Sequence, residues 1–298
     1  MSWYTKYLEY FEKPYASVPK TVVEKVKNNF KRFHTIEAPV ASIVVIARNE
    51  ETRLFSCLWA LSESCCDFPI EIIGVDNVST DRTAEIFEDV GIRWYTETQK
   101  SCGYARRCGL EYASGKYYFC IDSDTLYPSH YIQTYIKALE KPDIVGVSSL
   151  WSFVPDEKHS RWGLKLFEFF RDIHIWVLSF KRPELAVRGL TFAYRTEYGR
   201  KVGYRVDIKR GEDGSMALGL RQYGKLKLIL NRKVRCITAT NTLGADGSLF
   251  KSFTTRVKNA LRGFSEYFTK KTHYKDHESN MIDGFTEHPT TVCNQKKT

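Results

Sequence analysis

The chain has 298 residues, of which 43% are hydrophobic and 14% aromatic. This composition supports one large domain or two smaller ones with a substantial core, which excludes a wholly disordered chain. The net charge is +10, and residues 200–235 carry eleven Lys or Arg against three acidic residues. Such a basic surface attracts phosphates, acidic sugars, anionic lipid or nucleic acid, and charge alone does not choose among them.

The sequence shows no targeting signal and no cysteine motif. No run of about 18 uncharged apolar residues occurs, so we expect no transmembrane helix, and the start Met1-Ser2-Trp3-Tyr4 lacks the pattern of a signal peptide. The eight cysteines form no Cys-x-x-Cys pair, so no zinc site is expected. Several lie in apolar stretches, as is typical of buried free thiols in a reducing compartment. These features predict a cytoplasmic protein.

The first part of the chain alternates between strand and helix patterns. Residues 1–38 are predicted to form a helical extension whose aromatic stripes pack on the main domain. Short apolar runs then predict strands, and the intervening segments have helical spacing, with Ser79 or Thr80 as the cap of one helix. The predicted strands are residues 41–47, 70–75, 91–95 and 116–121, and the predicted helices are residues 50–64, the segment after 80, and 103–113. This alternation predicts an α/β fold with a parallel sheet and helices on both faces.

Acidic or amide side chains follow three of these strands. Ligands of parallel sheets lie beyond the carboxyl ends of the strands, so Glu50, Asp76 and the triplet Asp122-Ser123-Asp124 are expected along one edge. Two carboxylates at this spacing can hold a divalent cation, which can neutralise a diphosphate. The alternative for the triplet, and for Asp76, is ordinary turn chemistry.

The second part of the chain is less regular. Residues 144–151 fit a strand, and residues 164–180 fit an amphipathic helix that either lines a pocket or touches a membrane surface. We divide the chain after the N-terminal extension into a first part (39–127), a second part (128–249) and a basic, partly flexible tail (250–298).

Two more residue groups are candidates for chemistry. Glu212 and Asp213 precede an apolar helix pattern, where a carboxylate either stabilises the helix N-terminus or acts as a general base. Arg106, near another helix start, either clamps a diphosphate or is an ordinary surface arginine.

Five segments in order resemble the motifs of family 2 glycosyltransferases, and the resemblance covers about residues 40–235. They are SIVVIARNEE (42–51), VDNVSTD (75–81), GYARRCG (103–109), ASGKYYFCIDSD (113–124) and GEDGSMALGL (211–220). The resemblance implies a GT-A, Rossmann-like fold, with a mostly parallel sheet flanked by helices and with helical N- and C-terminal additions. It also implies inverting, hexosyltransferase-type transfer from a nucleotide-diphospho-sugar, with Mn²⁺ or Mg²⁺ as cofactor. By the same resemblance residues 39–127 form the donor-binding half and residues 128–249 the acceptor-binding half.

Each functional residue of the family is carried over by its motif. By this resemblance the donor contacts are Ala47, Glu50, Asp76, Arg106, Asp122 and Ser123, and the metal ligands are Asp122 and Asp124, with Asp124 the more direct. Asp213 resembles the catalytic base, and the acceptor side is formed by Gly189, Leu190, Thr191 and Glu212.

The chain also departs from the family pattern. Asn77 replaces a common second Asp, Arg107 replaces an Asn, and residues 235–240 (RCITAT) lack a histidine that often follows the Glu-Asp helix. The Gln-x-x-Arg-Trp signature of processive members is absent, so we expect the addition of a single sugar.

The expected partners follow from this assignment. They are a nucleotide-diphospho-sugar donor and a sugar or lipid-linked acceptor in polysaccharide or glycoconjugate synthesis, with no nucleic acid. The sequence does not predict an oligomeric state. One alternative places the protein peripherally at the cytoplasmic face of a membrane, through the basic segment 200–235 and residues 164–180, and the other is a soluble enzyme with a soluble acceptor. Two further alternatives are a nucleotidyltransferase, which the absence of glycine from residues 47–51 disfavours, and a non-catalytic basic binding module.

Overall fold

The computed structural model of the chain describes residues 2–33, 37–156, 159–240 and 294–295, so the predicted tail 250–298 lies almost entirely outside the described residues. An eight-stranded sheet forms the centre. In spatial order its strands are β11 (Asn294–Gln295), β3 (Arg93–Thr96), β2 (Ile70–Asp76), β1 (Ala41–Ala47), β4 (Tyr117–Asp122), β8 (Ala193–Arg195), β6 (Ile144–Ser149) and β9 (Lys225–Ile229). A second, three-stranded sheet contains β5 (Thr125–Leu126), β10 (Cys236–Thr238) and β7 (Trp151–Phe153).

The large sheet is mostly parallel, as predicted. Strands β3, β2, β1 and β4 run parallel to one another, and β6 runs parallel to β9. Only β8, between β4 and β6, and the short edge strand β11 are antiparallel to their neighbours. The β1 run ASIVVIA is buried at every position except Ile46, which is partly exposed. Because both faces of such a strand are covered, its sequence is continuously apolar rather than alternating.

Helices cover both faces of the sheet. They are α1 (Lys20–Lys31), α2 (Leu54–Ser62), α3 (Thr83–Asp89), α4 (Cys102–Tyr112), α5 (Tyr131–Leu139), α6 (Arg161–Lys181), α7 (Pro183–Ala186), α8 (Thr196–Val202) and α9 (Glu212–Leu220). Alternate residues of a strand point to opposite faces. Accordingly Ile43 and Phe119 join one core with α1, α2, α3, α5 and α6, and Val44 and Tyr118 join another with α4 and α9. The predicted α/β layer arrangement is therefore confirmed.

The predicted start of the third helix was wrong. Neither Ser79 nor Thr80 caps it, since α3 begins at Thr83 and Asp81 accepts hydrogen bonds from the Thr83 backbone N–H and hydroxyl. Ser79 and Thr80 instead bond Asn49 in the loop after β1. Ser79 and Thr80 therefore bond the neighbouring loop instead of capping α3. These bonds join the loops that follow β1 and β2.

The N-terminal extension packs on the domain, as predicted. The Ser56 hydroxyl in α2 donates to the Tyr7 carbonyl at 2.8 Å, and the buried Tyr7 ring contacts Trp59 edge-on at 5.3 Å. Tyr15 is also buried, and its hydroxyl donates to Asp89 at 2.7 Å. These contacts cover the apolar outer face of α2.

The cysteines differ in part from expectation. Cys57, Cys120 and Cys236 are buried free thiols, as predicted, whereas Cys108 is disulfide-bonded. Within the described ranges, no helix is long and apolar enough to cross a membrane.

Candidate active site

The strand register brings the predicted acidic strand ends to one edge of the sheet. Ala47 at the end of β1 is paired with Asp76 at the end of β2, and Ile46 is paired with Asp122 at the end of β4. The parallel ladder ends near these residues, so their side chains lie together at the carboxyl edge of the sheet. The structure therefore brings these predicted residues together, and their functions stay predictions.

Asp124 is fixed by a strand from far along the chain. Strand β10 pairs with β5, which places Thr238 opposite Thr125. The Thr238 hydroxyl donates to Asp124 Oδ1 at 3.2 Å, and the Thr125 hydroxyl lies 3.1 Å from the same oxygen. Thr238 lies in the stretch where the family often has a histidine, and sequence reasoning missed its role.

Arg106 lies beneath the site rather than on the surface. Its side chain is 1% exposed, and it forms an ion pair with Asp122 and donates to the Ile121 carbonyl at 3.2 Å. Its Nε lies 3.8 Å from Asp213 Oδ1. A buried cation is tolerated only when it is paired with acceptors and charges. The surface-arginine alternative is thus wrong, and Arg106 links the carboxylate of β4 to the carboxylate of α9.

Asp213 lies in the first turn of α9 with its side chain 13% exposed. The preceding Gly211 has φ 99°, a left-handed conformation that favours glycine and turns the chain into the helix. No side chain caps this helix, and Asp213 Oδ1 has no hydrogen bond in the described part of the chain. Burial, followed by repulsion from Glu212, raises the pKa of Asp213 to about 7, although Arg106 opposes the shift.

The segment Gly189–Thr191 closes the site beside Asp213. A Cβ on Gly189 would overlap the Asp213 carboxylate and would lie 2.9 Å from Arg106 Nη2. The Leu190 carbonyl accepts from the Tyr127 hydroxyl at 3.0 Å, and that hydroxyl accepts from the Asp122 backbone N–H at 3.1 Å. Tyr127, which sequence reasoning also missed, therefore ties the acidic triplet to the predicted acceptor loop.

The close approach of Gly189 gives a testable prediction. We expect Gly189→Ala to lower kcat by about 10²-fold, because the added methyl displaces Asp213 and Arg106 and small misplacements of reacting groups are costly. Steady-state kinetics and circular dichroism would test this. Gly146→Ala is a matched control. Gly146 lies on β6, two strands away from β4, and its added Cβ would meet the Leu226 side chain of β9 at 2.7 Å. An equal loss of activity in both variants would indicate general destabilisation instead.

The loop after β2 holds Asp76 and Asn77. Asp76 is buried, and its Oδ2 accepts from the Ser79 backbone N–H at 3.4 Å. Asn77 donates to the carbonyls of Glu97 and Gln99 at 3.1 and 2.6 Å. Asn77 therefore supports the neighbouring loop, and the departure from the family at this position has a structural function. Asp76 forms the turn contact that its sequence context allows, and its contact with the donor stays a prediction.

Glu50 extends the carboxylate cluster. It forms an ion pair with Arg53 at 3.2 Å, and burial, with repulsion from Asp124, raises its pKa to about 7. Burial, with repulsion from Asp122, likewise raises the pKa of Asp124 to about 6. This mutual repulsion is what an added cation would relieve.

The carboxylates at this edge fit a divalent cation whose other ligands come from a substrate. No group of three or more His, Cys, Asp or Glu side chains within the described ranges could hold a metal by itself. Mg²⁺ commonly binds through one or two carboxylates, with water and substrate phosphate oxygens completing the set. Asp122 and Asp124 supply such a pair.

The raised pKa of Asp124 predicts a stability effect. Its folded pKa exceeds the value of 3.8 for an unperturbed Asp, so the cost of ionising the buried carboxylate is absent below about pH 3.8, grows between pH 3.8 and about pH 6, and is complete above about pH 6. Asp124→Asn should therefore stabilise the metal-free protein at pH 8 by about 1–3 kcal/mol, with a smaller gain at about pH 5 and none below about pH 4. Thermal unfolding with a chelator present, at pH 8 and at pH 4, measures this. A gain of equal size at pH 4 would contradict the assignment.

The chain is similar in sequence to known glycosyltransferases. Residues 42–208 match Glycosyl transferase family 2, so the chain belongs to that family. The matched range ends before Glu212 and Asp213, whose assignment rests on the contacts above. SPbeta prophage-derived glycosyltransferase SunS of Bacillus subtilis (strain 168) is 36% identical over 95 residues, covering 30% of this chain and 21% of SunS. The matches to the first curated relatives span between about a fifth and a third of those proteins.

Two solved structures share the fold. The mannosyltransferase PcManGT from Pyrobaculum calidifontis, in complex with GDP-Man and Mn²⁺, has a TM-score of 0.54 at 18% identity, covering 80% of this chain and 76% of that one. S. aureus TarS 1–349, in complex with UDP-GlcNAc, has a TM-score of 0.51 at 17% identity, covering 67% and 58%. The GT-A α/β fold expected from the sequence is thereby confirmed.

Proposed function

We propose that the protein is a metal-dependent, inverting, non-processive glycosyltransferase of the hexosyltransferase type. It moves one sugar from a nucleotide-diphosphate donor to a hydroxyl acceptor. One observation carries the proposal: a largely buried carboxylate with a pKa of about 7, Asp213, lies beside a buried arginine that also pairs with Asp122 at the acidic strand end. A general base and a diphosphate-binding edge are thus joined in one site.

The proposed mechanism assigns one task to each group. Asp122 and Asp124 would hold Mn²⁺ or Mg²⁺, which neutralises the charge on the departing nucleoside diphosphate when bound. Asp213 takes the proton of the acceptor hydroxyl as its oxygen attacks the anomeric carbon, while the bond to the diphosphate breaks on the opposite face. Arg106 limits the rise of the Asp213 pKa. The pKa therefore stays close to neutral pH, where a general base works best.

Substrate contacts follow the two halves of the domain. We assign the donor to residues 39–127, with contacts from Ala47, Glu50, Asp76, Arg106 and Ser123, and the acceptor to residues 128–249, with contacts from Gly189, Leu190, Thr191 and Glu212. The GDP-Man and UDP-GlcNAc complexes of the two similar structures support a nucleotide-diphospho-sugar donor here. We place the enzyme in the cytoplasm, acting on a sugar or lipid-linked acceptor in polysaccharide or glycoconjugate synthesis.

The test is incubation with a mixture of nucleotide sugars and Mn²⁺, followed by analysis of the products. Release of a nucleoside diphosphate supports the proposal, and addition of a single sugar to an acceptor supports the non-processive assignment. Release of pyrophosphate would indicate a nucleotidyltransferase, and no turnover with any donor would favour a binding module.

The pKa of Asp213 predicts the pH dependence of transfer. A base must be unprotonated, so kcat should rise with pH through about 7 and should fall about tenfold for each pH unit below that value. Initial rates between pH 5 and pH 9 at saturating donor and metal would show this limb. A flat profile across that range would remove Asp213 as the group that titrates.

A further inference from the structure

The outer face of α6 is apolar and exposed. Of eleven large hydrophobic side chains that are exposed in the described part of the chain, eight belong to this helix. They are Trp162, Leu166, Phe169, Phe170, Ile173, Trp176, Val177 and Phe180, with exposures from 43% to 80%. Contiguous apolar patches of this kind mark sites of interaction, since isolated soluble domains rarely display them.

The charges of α6 are sorted between its two faces. Both acidic residues point inward, where Glu168 accepts from the Phe153 backbone N–H at 2.8 Å and Asp172 pairs with Arg235 at 2.7 Å. The charged residues exposed beside the apolar face are all basic, namely Arg161, Lys165 and Lys181. The exposed surface of the helix therefore combines aromatic and aliphatic side chains with positive charge alone.

We propose that this face of α6 docks the protein onto an anionic lipid surface. An interfacial helix lies in the membrane plane with its Trp, Phe and Leu side chains at the headgroup boundary and its Lys and Arg near anionic headgroups. The exposed charges of α6 complement such a surface. A second copy of the chain would instead bring the same basic side chains against one another, which disfavours α6 as a dimer interface.

Docking through α6 differs from attachment through the whole basic segment 200–235. Several basic residues of that segment form ion pairs with acidic residues of the same domain, among them Lys201, Arg205, Arg221, Lys225 and Arg235. Their charge is partly neutralised, and they are spread over several elements. The local excess of positive charge thus contributes less than the sequence suggests, and α6 supplies the apolar contact.

The position of α6 relates this surface to the site. Its first half packs beside β7, and α7 leads from its end into the segment Gly189–Thr191 next to Asp213. When α6 is docked, the segment Gly189–Thr191 on the acceptor side of the site would lie near the lipid headgroups. This consequence rests on the proposed function, whereas docking itself does not require transfer activity.

Vesicle co-sedimentation of the full chain tests the proposal. We expect binding to vesicles of phosphatidylcholine with phosphatidylglycerol at low salt, weaker binding at high salt, and little binding to phosphatidylcholine alone. Absence of binding to the anionic vesicles at low salt, or equal binding to both compositions, would overturn it. The assay needs no sugar donor, so its failure is distinct from a failure of the proposed function.

Two leucine variants distinguish a specific contribution of the α6 face from a general effect of placing a glutamate on the surface. Leu166→Glu on α6 should lower the partition coefficient by about 10–100-fold, the effect of losing one buried leucine. Leu230→Glu is the control, because Leu230 is 51% exposed and Leu166 is 61% exposed. Lys165→Gln should lower binding by about fivefold, as expected for one basic charge near an anionic leaflet. Equal losses in both leucine variants, or a dimer by light scattering that only Leu166→Glu dissociates, would overturn the proposal.

Discussion

Asp213→Asn is expected to lower kcat by about 10²–10⁴-fold, the range typical for removal of a general base. Donor affinity should change little, because the base acts on the acceptor hydroxyl. The asparagine keeps the shape of the side chain beside Gly189, so the loop geometry is retained. Nucleoside diphosphate release measures turnover, and calorimetry with a nucleoside diphosphate and Mn²⁺ measures donor binding.

A matched control comes from the same region of the chain. Asp207 forms an ion pair with Arg205 and lies only six residues before Asp213. Asp207→Asn should therefore keep near-normal turnover. If Asp213→Asn also keeps near-normal turnover, Asp213 serves only the N-terminus of α9 and another base must be sought.

Asp124→Asn is expected to abolish metal-dependent donor binding while the fold stays intact. One of only two carboxylates at the strand end is lost, and hard divalent cations require oxygen ligands. The affinity for a nucleoside diphosphate with Mn²⁺ should fall by at least about 10–100-fold, the loss typical when even a residue supporting a metal ligand is removed. Calorimetry with and without Mn²⁺ measures it.

This result would be combined with the stability measurement on the same variant. The protein with Asp124→Asn should be more stable than the wild type at pH 8 without metal and should bind the donor more weakly with metal. Asp143→Asn is the control, because Asp143 is exposed and is paired with Lys225. Unchanged donor affinity in Asp124→Asn would remove the metal assignment.

The edge of the sheet was predictable because its signals are local. A continuous apolar run followed by an acidic residue identifies a buried strand and its end, and parallel strands present their carboxyl ends together. Glu50, Asp76 and Asp122 were placed in this way. Helix starts were less predictable: Ser79 and Thr80 have local capping potential, but their bonds to Asn49 come from a different loop.

The contacts that make the edge a site were not predictable from local patterns. Arg106 has the sequence context of a surface residue, yet it is buried between Asp122 and Asp213. Thr238 and Tyr127 carry no motif of their own, and their hydroxyls reach Asp124 and Leu190 only through strand pairing and loop packing. Such pairings depend on long-range geometry, which a pattern of period 2 or 3.6 does not contain.

The sequence by itself determined the layer arrangement, the acidic edge and the motif resemblance that leads to the family, since these follow from short-range spacing and residue chemistry. Only the tertiary structure decided that Gly189 touches Asp213, that Arg106 joins the two carboxylates, and that α6 turns both of its acids inward. The physical reason is burial. The pKa of Asp213 and the exposed face of α6 depend on which groups the fold removes from water, and residues distant in the chain determine that.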